Sequence, residues 1–99
     1  MKIQDSQLEL SGQQVLALER LKELAMQRRC FGELAINLWH HRFRCDLHSC
    51  INALSQETDN RLSEALYLML DLARQGIKSN QYLGDEFAEG LIERWELHD

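Results

Sequence analysis

No proline interrupts the 99-residue chain, and β-branched residues are few. Without the residue that breaks helices, and with Leu, Ala, Glu, Gln and Arg abundant, nothing in the composition opposes helix formation. Cysteine is scarce and odd in number, three in all. Three thiols do not make a disulfide framework, so free buried cysteines are expected. No apolar run approaches the roughly 20 residues that span a bilayer. The longest, from Ala65 to Leu72, still includes Tyr67 and Asp71. The opening residues, MKIQDSQLELSGQQ, lack the apolar core of a signal peptide. These absences point to a soluble, cytoplasmic, all-α protein, and the length suits one domain.

Net charge is −5, which argues against general binding to nucleic acid or anionic membranes. The charge is unevenly spread. Between Arg20 and Arg44 six basic residues face only Glu23 and Glu33. From Asp85 to Asp99 there are six acidic residues and one basic, a net −5 that equals the value for the whole chain. Such asymmetry implies either pairing between the two regions or a polarised surface that meets a partner.

Taken in order, the pattern predicts four to five helices in a compact bundle. Residues 1–10 read as a flexible or loosely docked segment with Ile3, Leu8 and Leu10 as anchors, and 11–99 as the helical domain. Ser11 followed by Gln14 is a capping-box pattern, so a helix over 12–28 is expected. Its apolar stripe is Val15, Leu18, Leu21 and Ala25, widened by Leu16 and Leu24. A second helix, 30–42, carries Phe31, Leu34, Ala35, Leu38 and Trp39, with Ile36 nearly closing the apolar ring. Gly32 near its start suggests close approach of the first helix. Asp46 is a good N-cap for a short helix over 47–54 that carries Leu47, Cys50, Ile51 and Leu54 as its apolar stripe. Ser55 or Thr58 is expected to begin the next segment. A long helix over 58–75 stops at Gly76, and a loop follows over 77–84. Asp85 is expected to cap a last helix, 86–97, bearing Phe87, Leu91 and Trp95.

Four constellations carry chemistry. His41, Cys45 and His48, spaced i, i+4, i+7, share one face if a helix runs through them. With His40 or Cys50 as a fourth ligand, thiolate and imidazole select zinc. The spacing lacks any CxxC, and Asp46 favours a helix start between the histidines, so buried core and boundary residues are the simpler account. Cys45 or Cys50 beside His48 resembles a nucleophile pair, but no turn suited to an oxyanion accompanies it. Trp39–His40–His41–Arg42–Phe43–Arg44 alternates aromatic and basic residues in a way that suits stacking plus phosphate contact. The acidic total, and Trp39 and Phe43 as core residues beneath snorkelling arginines, oppose that reading. Last, Tyr67 and Leu70 lie off the main stripe of the long helix and Ile36 off that of the second. Surplus apolar residues of this kind mark a dimer or partner interface. Glu86, Glu89, Glu93 and Glu96, along the last helix, read as a solvated face rather than as paired catalytic carboxylates.

The order of Leu18 and Leu21, then FxxLAxxLW from Phe31 to Trp39, then Asp46–Leu47, Leu72–Ala73, YLGDEF from Tyr82 to Phe87 and Trp95 resembles an uncharacterised helical domain family. That family occurs in small proteins of proteobacterial plasmids and integrative elements. The resemblance covers about 15–96 and implies a compact helical fold on mobile DNA, with no assigned activity. The chain departs from the family where Leu38–Trp39 replaces a doubled tryptophan and Cys45 replaces an aromatic. The stretch from Ser55 to Asn60 is also longer.

Together these features predict a non-enzymatic protein-interaction module without cofactor, dimeric or partner-bound. A specific version is an anti-CRISPR-like inhibitor whose acidic last helix, through Glu89, Glu93 and Glu96, imitates nucleic acid on a basic partner. Tyr67, Arg42 and Arg44 complete the expected partner-binding set. The alternatives are a nucleic-acid-binding accessory protein using 39–44 and a small zinc-stabilised domain.

Overall fold

Most helix ends have a local cause in the sequence, and the computed structural model describes residues 1–98. Helix α1 (Gly12–Gln27) opens on the expected capping box. The Gln14 amide donates to Ser11 Oγ at 3.1 Å, and the Ser11 amide donates to Gln14 Oε1 at 2.9 Å. Two of the four amides that a helix start leaves orphaned are thereby satisfied. Ala17, Leu18, Leu21, Leu24 and Ala25 are buried on one stripe, whereas Leu16 is exposed.

Only Arg28, in extended conformation, separates α1 from α2 (Arg29–Asn37). The carbonyls at the end of α1 find partners on the last helix. Trp95 Nε1 donates to Ala25 O at 2.8 Å and Arg94 Nε to Met26 O at 2.7 Å. The second helix ends at Asn37, five residues before the expected position. No proline or glycine stops it. Instead the Trp39 and His40 amides converge on Ile36 O, and Asn37 Nδ2 donates to Phe43 O at 2.7 Å, folding the chain back. Tertiary bonds hold this corner: the Ser79 amide donates to Leu38 O, and its hydroxyl to Ala35 O. Ile36, read from the sequence as surplus, is fully buried.

Helix α3 (Leu47–Ser55) starts at Asp46 as expected, the carboxylate accepting from the Ser49 amide at 3.1 Å. Helix α4 (Asn60–Arg74) is capped by Asp59, not by Ser55 or Thr58, with the Arg61 amide donating at 2.9 Å. Its end follows the Schellman pattern: the Ile77 amide reaches Leu72 O and the Gly76 amide reaches Ala73 O, both at 2.9 Å. Gly76 takes the positive φ, 83°, that this turn requires. The expected loop over 77–84 contains a short helix, α5 (Asn80–Leu83). Helix α6 (Asp85–Trp95) is preceded by Gly84, φ 95°, so Asp85 is its first residue and not its cap. Asp85 and Glu86 lie in its first turn, where negative charge suits the helix dipole.

Residues 1–10 double back through a Lys2–Glu9 bridge. Ile3 and Leu10 are buried in the core, and Gln4 exchanges two bonds with Gln81 of α5. Among the described residues there are six helices and no strand, making one compact all-α globule. Its radius of gyration is 12.5 Å, close to the ~13 Å of a folded 100-residue domain. Helix α1 packs on α4 and α2, α2 also on α6 and α3, and α5 on α6. Leu21, Phe31, Ile36, Leu62, Met69 and Leu91 form the dry centre. Gly32 sits where α2 meets α6: a Cβ there would lie 2.7 Å from Trp95 Cδ1 and 3.3 Å from Ala25 O. The close neighbour is thus chiefly the tryptophan of α6, with α1 second. No described helix is long and apolar enough to cross a membrane.

Candidate functional site

Helix α3 packs chiefly on α2, with no comparable packing on α4. Its nine residues, LHSCINALS, contain no Asp, Glu, Lys or Arg, an unusual composition for a helix at the surface. Only Cys50 and Ala53 are buried, while Leu47 and Ile51, one turn apart, are 57% and 55% exposed. Across the gap, Tyr67 and Leu70 of α4 are 75% and 57% exposed. Between these two rims runs an apolar groove of about 240 Å³. Leu34, Leu38, Cys50, Leu54, Leu66 and Met69 contribute to its lining, and the only hydroxyls on it are those of Ser63 and Tyr67. A continuous apolar surface of this kind on a small domain is a candidate contact site.

The sequence pointed to Tyr67 and Leu70 but not to the groove. What it missed is that α3 does not close over α4, so residues read as ordinary stripe positions, Leu47 and Ile51, remain uncovered. The signal that was available is the absence of charge from residues 47–55.

The thiols converge beneath one wall of this groove. Cys50 is fully buried, and its Sγ donates to Cys30 O at 3.1 Å. Cys30 and Cys45 lie close enough to influence its ionisation. Burial, reinforced by the neighbouring thiols, pushes the Cys50 pKa well up, and burial raises that of Cys45 as well. Both therefore stay protonated at neutral pH, the opposite of what a nucleophile needs. All three are free thiols.

The histidines do not join them. Among the described residues no group of three or more His, Cys, Asp or Glu side chains is placed to hold a metal ion. His41 and His48, expected to share a helical face with Cys45, are exposed on opposite sides of a helix break, because α2 has ended before His40 and α3 begins only at Leu47. His40 stacks on His41 at 5.5 Å between centroids and meets Phe43 edge-on at 5.9 Å.

The basic–aromatic stretch splits by burial. Trp39 and Phe43 pack against the core, and Arg42 and Arg44 are exposed. Arg42 and Arg44 border a shallow depression that also takes in Arg29, Glu33 and Leu97, apart from the apolar groove. Glu89 and Glu93 on α6, and Glu96 just past its end, are exposed, and none of them enters an ion pair among the described residues. The two oppositely charged regions meet through backbone oxygens and not through each other: Arg29 donates to Trp95 O at 2.9 Å. The ion pairs present are chiefly local, except that Arg20 joins Glu23 at 3.1 Å and Glu57 at 3.0 Å, tying α1 to the turn before α4.

No protein-family model, no curated protein and no solved structure matches this chain.

Proposed function

We propose that the chain is a non-enzymatic protein-interaction module whose working surface is the groove between α3 and α4. The observation that carries this role is the exposure of Leu47, Ile51, Tyr67 and Leu70 on facing rims, with no charged side chain lining the space between them. Leaving four large side chains more than half exposed forgoes a large part of the about 1.5–3 kcal/mol each that full burial gives. A surface that keeps them together in one patch is suited to being covered by another protein. The groove's volume is below the ~300–1,000 Å³ usual for small-molecule pockets. Its lining offers two hydroxyls, those of Ser63 and Tyr67, and no charged group to orient a ligand, which again favours a protein over a metabolite.

A photo-crosslinking residue in place of Tyr67 tests the role in cells. Crosslinks from position 67, absent from a control position on α1 such as Glu19, are the expected result. Crosslinks from Glu19 with none from position 67 would place the contact elsewhere and refute it.

The unpaired acidic row of α6 supports a second reading: Glu89, Glu93 and Glu96 as a nucleic-acid-like face toward a basic partner, as an inhibitor carried by a mobile element would use. Replacing all three by Lys should abolish binding that depends on this face and leave groove-dependent binding intact. Partner binding that survives the triple change would exclude it.

A further inference from the structure

We infer that the occupant of the α3/α4 groove is the same groove of a second copy of this chain, forming a weak twofold dimer; this rests on the interaction role proposed above. An isologous interface brings one patch against itself, so the patch must carry both projections and a hollow. This patch does. Tyr67, 75% exposed, and Ile51, 55% exposed, stand on the two rims, and the hollow of about 240 Å³ between them has room for one large side chain from a facing copy. A partner with only a bare apolar helix would fill the hollow and leave the projections in water.

Charge allows the pairing. Each copy carries −5, yet no ionisable carboxylate, amine or guanidinium lines the groove, so two copies bring no like charges together there. Area sets its size class. From their fractional exposures, Leu47, Ile51, Tyr67 and Leu70 present on the order of 450 Å² per copy. That is about half of the ~800 Å² per partner of a standard stable interface, the remainder coming from half-buried Leu38, Leu54 and Leu66 and the polar rim. An interface of this size belongs with weak, transient contacts.

Light scattering coupled to size exclusion, with sedimentation equilibrium over a concentration series, tests the assignment. The wild-type mass should rise from 11.6 kDa toward twice that value as concentration passes the micromolar range. Tyr67→Asp and Leu70→Asp, both at exposed positions, should weaken self-association at least tenfold while the helical circular dichroism signal is retained. Leu16→Asp, an exposed leucine on α1 outside the groove, should leave it unchanged. If a groove variant misfolds, concentration-dependent amide shifts of the wild type replace it, and these should map to α3 and α4. A mass that stays at 11.6 kDa at several hundred micromolar overturns the dimer, as does dissociation by Leu16→Asp or shifts confined to other helices. A monomer that still crosslinks to a different protein from position 67 would overturn self-association alone. A monomer without such crosslinks would remove the interaction role as well.

Discussion

Helices α1 and α3 carry the same kind of apolar stripe and meet opposite fates. In α1, Ala17, Leu18, Leu21, Leu24 and Ala25 are all buried because α4, α2 and α6 surround them. In α3, Leu47 and Ile51 are more than half exposed because the helix packs chiefly on α2. The difference shows that an apolar stripe records a need for cover, while the placement of neighbouring helices decides whether the cover lies within the chain. It also divides the molecule into a closed half, which holds the fold, and an open edge, which is free to act.

The sharpest way to break that comparison is to truncate one residue of each stripe. Leu21→Ala should cost about 2–5 kcal/mol in urea denaturation, since Leu21 is completely buried and its removal leaves a cavity. Ile51→Ala should change stability by less than about 1 kcal/mol, because more than half of that side chain is already in water. Equal losses would mean that α3 is as enclosed as α1.

Closure of the other half depends on Gly32. A Cβ at this position would come within 2.7 Å of the Trp95 ring and 3.3 Å of Ala25 O. Gly32→Ala should therefore destabilise by about 1–3 kcal/mol. It should also disturb the bond from the Trp95 indole to Ala25 O, visible as a shift in tryptophan fluorescence. An unchanged spectrum and melting curve would show that α6 is free to move aside.

At the open edge, the N-cap of α3 matters more than its packing. Hydrogen bonds from Ser49, side chain and backbone, hold the Asp46 carboxyl below its ordinary pKa. Asp46→Ala should cost about 1 kcal/mol, with faster hydrogen exchange in α3 than in α1. Protection lost equally from both helices would mean that α3 and α1 open as one unit.

The smallest effect separates the floor of the groove from its rims. Burial keeps the Cys45 and Cys50 thiols and the Tyr82 phenol protonated beyond their usual range. The unfolded chain releases these protons first, so the folded state binds more of them. Their contribution is intact below the unfolded thiol pKa of about 8.5 and is lost as pH rises above it. Under reducing conditions the urea midpoint should fall steadily from about pH 8.5 upward. A flat midpoint through about pH 10 would indicate that water reaches Cys50.

Much of the fold is legible in the residues because its signals are local. The Ser11–Gln14 box, the Asp46 cap and the Gly76 stop act through bonds spanning a few residues, and each falls where the pattern predicts. The failures share another cause. Helix α2 ends at Asn37 without a breaker, turned by bonds to Phe43 and Ser79, the latter 41 residues beyond its acceptor at Leu38. Gly84 rather than Asp85 precedes α6, because the turn out of α5 needs a positive φ that glycine adopts readily. For the candidate site, Tyr67 and Leu70 could be read as off-stripe, but Ile36 looked equally spare and is buried.

Composition and periodicity by themselves determined an all-α chain, its capping points and the residues that seek burial, since propensity, capping and amphipathicity are properties of neighbours along the helix. Only the tertiary structure decided which of those residues found burial. The gap between α3 and α4 depends on how separate helices pack, and no spacing within either helix encodes that distance.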